Sequence, residues 1–197
     1  MVKLVAVYGS PRRKGNTATL LAEAVAGARE ARAEVREVVL RDLKMSPCLE
    51  IYGCKKDGRC VIDDDFPPLA DEILDADGLM LASPVMFYAV SAHTKIFMDR
   101  CQSLWVRKYW IDKTPHGKGP IRRKGLYLGV GATTGKKLFD GILLSVRYMF
   151  DVFDMELSRT LLFRGLDFEG DAQKHPEYLR ECRQAGRDFA ESVRAGE

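Results

Sequence analysis

Along this chain, unbroken apolar runs alternate with apolar residues at helical spacing. Residues 2–8 are almost entirely apolar and end at Gly9, which is typical of a strand buried on both faces. From Asn16 onward, apolar residues recur on one face of a helix. The same alternation continues and predicts further strands over residues 35–40, 79–82, 126–130 and 157–163, with helices capped by Asp64 or Asp65, over 90–104, over 137–150, and at the C-terminus.

This alternation predicts an α/β fold in which a doubly wound, five-stranded parallel sheet is covered by helices on both faces. Strands one, three and four are continuously apolar, as central strands should be, whereas strands two and five carry polar interruptions typical of edges. The predicted strand order is therefore 2-1-3-4-5, the flavodoxin-like order, in a single domain over residues 1–197. In such sheets ligands bind at the carboxyl ends of the strands, so the loops after strands one, three and four should carry the function.

Composition narrows the class of protein further. The 197 residues are 46% hydrophobic and 30% charged with a formal net charge of +3, which excludes a largely disordered chain. The charge favours neither nucleic acid as a partner nor a small acidic electron shuttle. The N-terminal apolar run is too short for a signal-peptide core, and the longest mostly apolar stretch, residues 78–90, is too short for a membrane span. We therefore expect a cytoplasmic protein with no membrane partner.

The loop after strand one has the composition of an anion site. It joins a buried strand to a helix N-terminus, where free backbone N–H groups and the helix dipole favour a phosphate. Ser10, Asn16 and Thr17 supply neutral donors and Arg12 supplies charge, while the glycine spacing excludes the P-loop of nucleotide hydrolases. The alternative is a plain polar turn with an asparagine cap.

Three motifs in order resemble one known family: Gly9-Ser10-Pro11-Arg12 with Gly15-Asn16-Thr17, Asp77-Gly78 with Ser83-Pro84-Val85-Met86-Phe87-Tyr88, and Lys95-Ile96-Phe97-Met98-Asp99-Arg100. The chain resembles the NAD(P)H-dependent FMN reductases and iron–sulfur flavoproteins of the flavodoxin-like superfamily. The resemblance implies bound FMN, with its phosphate held by Ser10, Arg12, Asn16 and Thr17 and its isoalloxazine ring bordered by Pro84, Val85, Met86 and Phe87. The alternative for residues 86–88 is ordinary core.

The loop after strand four, residues 129–136, is rich in glycine but misses two nucleotide-binding fingerprints by one residue each. Because small residues beside the binding edge allow close backbone approach, we expect Gly131, Ala132 and Thr133 to contact the flavin ring.

The resemblance implies an FMN-dependent oxidoreductase that takes hydride from the co-substrate NAD(P)H. Its electrons would pass to a small acceptor such as a quinone, free flavin, azo compound or metal ion. The cofactor carries this chemistry, so no catalytic side chain is expected. The alternative is a non-enzymatic electron carrier, either flavodoxin-like or an iron–sulfur flavoprotein.

A cysteine-rich segment separates the chain from its cluster-binding relatives. Cys48, Cys54 and Cys60 match three of the four ligand positions of the segment found in iron–sulfur flavoproteins, but the position between Cys48 and Cys54 is Ile51. We therefore expect no metal or cluster. A three-iron cluster, a four-iron cluster with a foreign ligand, and zinc bound by three thiolates are the alternatives.

Two further features bear on assembly. The basic connector over residues 107–124 could cover the flavin, attract nicotinamide phosphates, pack on another subunit, or be a plain solvated loop. Aromatic residues near it (Trp105, Tyr109 and Trp110) and a broadly apolar helix over 142–150 favour a homodimer or homotetramer, as the resemblance also implies.

His93, His116 and His175 fit no metal or catalytic signature and are expected to be structural or solvated.

Overall fold

The computed structural model describes residues 1–115 and 123–196. Five parallel strands form one sheet in the order β2-β1-β3-β4-β5, which confirms the predicted flavodoxin-like arrangement. The strands are β1 (Lys3–Tyr8), β2 (Glu34–Val39), β3 (Gly78–Pro84), β4 (Arg123–Gly131) and β5 (Met155–Arg164). β2 and β5 lie at the edges, as their polar interruptions predict.

Helices cover both faces of the sheet. They are α1 (Asn16–Glu30), α2 (Phe66–Asp75), α3 (Ala92–Arg100), α4 (Gln102–Trp105), α5 (Asp140–Val152) and α6 (Pro176–Ala195). The buried side chains form two clusters: α1 and α6 cover one face, and α2, α3 and α5 cover the other. Among the described residues, no helix is long and apolar enough to cross a bilayer.

The predicted helix over 90–104 is divided in the structure. α3 ends at Arg100, α4 follows after Cys101, and the backbone continues as a π-helical turn over Val106–Ile111. The sequence predicts one helix here because side-chain spacing alone does not distinguish an α-helix from a short π-helical turn that follows it.

Two glycines bring α1 and α6 into backbone contact. A Cβ on Gly27 would lie 1.8 Å from the Arg183 carbonyl oxygen, and one on Gly186 would lie 1.8 Å from the Ala24 carbonyl oxygen. Asn16, the first residue of α1, therefore lies on a helix that is packed firmly against α6, at the carboxyl edge of the sheet.

Candidate functional site

Backbone hydrogen bonds join the three loops that were expected to carry the function. Gly9 N donates to Ala82 O across 2.8 Å, so the loop after β1 begins against β3. Val85 N donates to Val130 O, also across 2.8 Å, and ties the loop after β3 to β4. Adjacent parallel strands thus place these loops side by side at one edge, as the sheet topology requires.

A buried hydroxyl network fixes the first two loops to one another. The Ser91 hydroxyl donates to Gly9 O, and Ser91 N donates to the Ser83 hydroxyl at 2.9 Å. Ser91 also caps α3, because its Oγ accepts from Thr94 N at 3.2 Å. These serine and threonine side chains are fully buried, so each hydrogen bond is protected from water.

Gly9 is required for this contact between the loops. A Cβ at this position would lie 2.0 Å from Thr94 Oγ1 and 2.7 Å from the Ala82 carbonyl oxygen. The loop can therefore approach α3 closely only where residue 9 lacks a side chain.

The N-terminus of α1 has the free donors that an anion needs. Gly15 precedes the helix in an extended conformation and provides no side-chain cap. Hydrogen bonds among the described residues do not use the backbone N–H groups of Arg13, Lys14, Asn16 or Thr17. These groups and the helix dipole make the loop a site for a negatively charged oxygen group.

The predicted phosphate-binding side chains take different roles in the structure. Ser10 is buried and its Oγ accepts from Arg12 N at 3.1 Å, which shapes the loop. Thr17 is also buried, at the first turn of α1. The Arg12 side chain is exposed, and Nη1 makes a long 3.4 Å bond to Asp167 O, so its guanidinium can turn towards a ligand at little cost.

Asn16 is engaged within the protein. Its Nδ2 donates to Phe168 O at 2.9 Å, and its Oδ1 accepts from Ala172 N at 3.0 Å. The side chain therefore links the N-terminus of α1 to the loop between β5 and α6. Its backbone N–H, unlike its side-chain amide, makes no hydrogen bond among the described residues.

Beside the loop lies a groove of about 580 Å³ with a basic rim. Arg12, Arg13 and Lys14 line the rim, and Tyr8 and Glu37 lie deeper. The Tyr8 hydroxyl donates to the Glu37 carboxylate at 2.5 Å. Burial and this carboxylate raise the pKa of Tyr8, which keeps the phenol protonated.

The turn after β3 presents aromatic side chains to the outside. Met86 and Ala89 pair across a tight turn whose central residues, Phe87 and Tyr88, have φ of 50° and 59°. The Phe87 side chain is fully exposed and that of Tyr88 is 59% exposed, which excludes the alternative that these residues are core. Two aromatic residues in the left-handed region form a strained, outward-facing turn.

The loop after β4 lies against this turn. Gly131 is buried, and a Cβ there would lie 2.5 Å from Leu138 Cδ2. Ala132 and Thr133 are exposed beyond it. Pro84 and Val85 are half-buried on the neighbouring loop, so the residues predicted to border the ring line one open edge.

The cysteine segment lines a second cavity, of about 680 Å³, beside helical residues between positions 99 and 110. Cys48, Cys54 and Cys60 all line it, together with Trp105 and Trp110. Burial raises the pKa of Cys54, and the neighbouring Cys60 and Cys48 thiols raise it further. The three thiols are therefore neighbours in space as well as in sequence.

A four-thiolate cluster does not fit this segment. The Ile51 side chain, at the position of the fourth ligand, is apolar and 58% exposed. Within residues 1–115 and 123–196, no group of three His, Cys, Asp or Glu side chains is arranged to hold a metal ion. The donor set is thus one thiolate short of the four that such clusters use.

The start of the basic connector is anchored through one buried residue, although most of residues 107–115 are exposed. Lys108, in the π-helical turn, is buried, and its Nζ contacts Asp154 Oδ1 at 2.9 Å and Asp151 Oδ1 at 3.2 Å. Tyr109 donates a hydrogen bond to the Asp151 carboxylate. The middle of the connector, including His116, lies outside the described residues.

Sequence reasoning missed the side chains that hold these loops in place: Ser83, Ser91, Thr94, Lys108 and Phe168. Serine before a predicted helix is a capping signal, so the role of Ser91 at α3 was detectable in principle. Ser83 and Thr94 contact Ser91 itself, within eight positions. Lys108 and Phe168 have partners distant in sequence, Asp151 and Asn16, and no local pattern encodes these contacts.

The profile of the NADPH-dependent FMN reductase family matches residues 2–134, more than half of the chain. The chain therefore belongs to this family of flavoproteins. An iron–sulfur flavoprotein of Methanocaldococcus jannaschii is 39% identical over 103 residues, which cover 52% of this chain and 53% of the relative. One from Methanosarcina thermophila is 30% identical over 99 residues, covering 50% and 52% of the two chains. The match thus spans about half the length of these curated relatives.

Solved structures support the fold. The NAD(P)H:quinone oxidoreductase of Methanothermobacter marburgensis superposes with a TM-score of 0.70 at 19% identity, covering 94% of each chain. A flavodoxin from the domain Archaea gives a TM-score of 0.57 at 17% identity and covers 98% of this chain and 99% of its own. At these identities the likeness concerns the fold alone.

Proposed function

We propose that this protein is an FMN-dependent oxidoreductase that accepts hydride from NAD(P)H and passes electrons to a small acceptor such as a quinone, free flavin, azo compound or metal ion. The main observation behind the proposal is the N-terminus of α1. The backbone N–H groups of residues 13, 14, 16 and 17 make no hydrogen bond among the described residues there, and the Arg12 side chain is exposed. Because the chain belongs to the FMN reductase family, we infer that the anion bound at this site is the phosphate of FMN.

The residues present suit FMN. The backbone N–H groups of residues 13, 14, 16 and 17 would hold the phosphate, with Arg12 supplying a charge-assisted bond and Ser10 and Thr17 lining the loop. Asn16 would act mainly by fixing the loop in position. A terminal phosphate at a helix N-terminus suits a mononucleotide.

The ring would lie at the edge bordered by Pro84, Val85, Met86 and Phe87 on one side and Gly131, Ala132 and Thr133 on the other. When bound, FMN would supply the redox chemistry, which is uptake of hydride from NAD(P)H and release of electrons to the acceptor. The chain's part is to orient the ring with backbone groups and to cover its faces with apolar side chains. No acid–base side chain is needed for this role.

A second copy of the chain would complete the site. The exposed Phe87 turn leaves one side of the proposed ring position open, and on α5 the side chains of Leu144 and Tyr148 are 61% and 68% exposed. Exposed large apolar side chains of this kind are typical of subunit interfaces. We therefore propose a homodimer or homotetramer, which sedimentation velocity at several concentrations would distinguish from a 22.2 kDa monomer.

The test is a steady-state assay of the full chain after reconstitution with FMN. Oxidation of NADPH or NADH with a soluble quinone should require the bound flavin, and mass spectrometry of the released cofactor should identify FMN. Recovery of FAD would contradict the cofactor assignment. A stable flavin complex with no turnover on either donor would favour an electron carrier instead.

A further inference from the structure

The cysteine loop is defined here as residues 47–61, and its neck as the flanking residues Ser46 and Ile62. One buried arginine joins the two sides of this neck. Arg100, the last residue of α3, donates through Nη1 to Ser46 O at 3.0 Å and through Nη2 to Ile62 O at 3.3 Å. These carbonyls belong to the residues immediately before and after the loop. A single guanidinium therefore joins both ends of the segment that carries Cys48, Cys54 and Cys60.

Asp64 completes the neck. Arg100 contacts both oxygens of this carboxylate, with Nη1 at 2.5 Å from Oδ2 and Nη2 at 3.0 Å from Oδ1. The same carboxylate accepts from Ser46 N and Phe66 N, each at 3.0 Å. Burial opposes ionisation of Asp64, but the hydrogen bonds from Arg100, Phe66 and Ser46 outweigh it and lower its pKa.

The pair is deeply enclosed. The Arg100 side chain has no exposed surface, and its guanidinium lies 4.8 Å from the centre of the Phe66 ring. Removal of one partner of such a pair leaves an uncompensated buried charge, which is strongly destabilising. The neck is thus held by a buried ion pair rather than by a surface contact.

The interior of the loop is shaped by its own packing. Gly53 lies against Val61, where a Cβ would come within 2.5 Å of the Val61 side chain. The Lys55 ammonium lies 4.1 Å from the centre of the Tyr52 ring and 4.9 Å from that of Trp110. These contacts, together with the bonds from Arg100, give the loop a defined shape.

The five cysteines divide into two classes of accessibility. Cys48, Cys54 and Cys60 are free, partly exposed and open to the 680 Å³ cavity. Cys101 and Cys182 are free but buried in the two cores, where burial raises the pKa of each thiol.

We propose that the Arg100–Asp64 pair, in place of a metal cluster, holds the cysteine loop in shape, and that its three cysteines form an open thiol site for small thiol-reactive electrophiles. None of the residues that line its cavity is among those proposed to border the flavin, and the proposal does not depend on the proposed function. In the reaction, a thiolate sulfur forms a bond to the electrophilic carbon, the leaving group departs with its electron pair, and the thiol proton passes to the buffer.

The first test labels the full chain, purified anaerobically, with iodoacetamide before and after denaturation. Peptide mapping should find Cys48, Cys54 and Cys60 alkylated in the folded protein, and Cys101 and Cys182 alkylated only in denaturant. Iron and acid-labile sulfide should each be well below one equivalent per chain. Stoichiometric iron and sulfide, or protection of the three loop cysteines in iron-free protein, would overturn the proposal.

The second test disrupts the Arg100–Asp64 ion pair. Asp64→Asn should raise amide hydrogen exchange across residues 46–63 by about tenfold or more, with little change in β1 or β3. Glu72→Gln, which breaks an exposed Arg36–Glu72 pair, is the matched control and should leave the loop unchanged. Unchanged exchange in Asp64→Asn would show that something else holds the loop. If that variant does not fold, Arg100→Lys, which keeps the charge but loses the fork, provides the same comparison.

Discussion

The Ser91 hydroxyl donates a hydrogen bond to the backbone carbonyl of Gly9, across 82 positions of sequence. This contact joins the loop after β1 to the start of α3, the helix that follows the turn after β3. Both loops belong to the proposed flavin edge, so their relative position depends on a hydroxyl that would not itself touch the cofactor.

Ser91→Ala should therefore affect both stability and binding. Loss of the hydroxyl leaves Gly9 O without this donor and removes the α3 cap, so we expect the free energy of unfolding to fall by about 1–3 kcal/mol. FMN affinity should also fall, because the two loops are no longer fixed to each other. Urea denaturation and fluorescence titration measure these effects. Ser145→Ala, at an exposed helical position, is the control, and equal behaviour of the two variants would refute the role of Ser91.

Substitutions of Asn16 and Arg12 should distinguish effects on folding stability from effects on FMN affinity. Asn16→Ala removes the bonds to Phe168 O and Ala172 N, so the flavin-free protein should lose about 1–3 kcal/mol of stability. Arg12→Ala should leave stability within about 0.5 kcal/mol but weaken FMN binding about tenfold or more. Together the two changes should weaken FMN binding by about 2–5 kcal/mol if the Asn16 amide turns to the phosphate when FMN binds, and by less if it acts only by fixing the loop.

Urea denaturation without flavin and FMN titration of each variant give the two readouts. A protein with both changes that binds FMN as tightly as the parent would show that this loop is only a turn. An Asn16→Ala protein of unchanged stability would show that its two hydrogen bonds carry no weight.

The fold could be predicted from sequence because its signals are local. Continuous apolar runs identified β1, β3 and β4 as central strands, and polar interruptions identified the edges. The site could be located but not resolved, since Asn16 meets partners more than 150 positions away, on a loop that no periodicity describes. Arg100 lay in a recognised motif, yet its role at the neck depends on how residues 46–64 fold back over α3.

Tyr127 provides a test of the core. Its hydroxyl is fully buried and has no hydrogen-bond partner within the described residues, and burial raises its pKa. Tyr127→Phe should leave the free energy of unfolding unchanged or increase it by about 1 kcal/mol, because an unsatisfied polar group is removed. Tyr8→Phe, which loses a bond to Glu37, should instead lose about 1–2 kcal/mol. A clear destabilisation by Tyr127→Phe would mean that the hydroxyl has a partner in solution.

The Asp64 carboxylate should make part of the stability depend on pH. Its pKa is lowered in the folded protein, so its contribution is present above the unfolded value of about 3.9 and is lost as pH falls through the folded value. The stability gap between the parent and Asp64→Asn should therefore be constant above about pH 5 and shrink below about pH 4. Urea denaturation across this range measures the gap. A gap that widens on acidification would contradict the lowered pKa.

Reduction of bound FMN by a nicotinamide donor is the step that defines the proposed oxidoreductase, and anaerobic rapid mixing observes this step itself. FMN-loaded protein is mixed with NADPH, and separately with NADH, while the flavin absorbance is followed, with dithionite as the control for full reduction. We predict that at least one donor bleaches the flavin band as fast as, or faster than, steady-state turnover, and that a quinone then restores it. Flavin that dithionite bleaches but neither donor reduces would contradict the account.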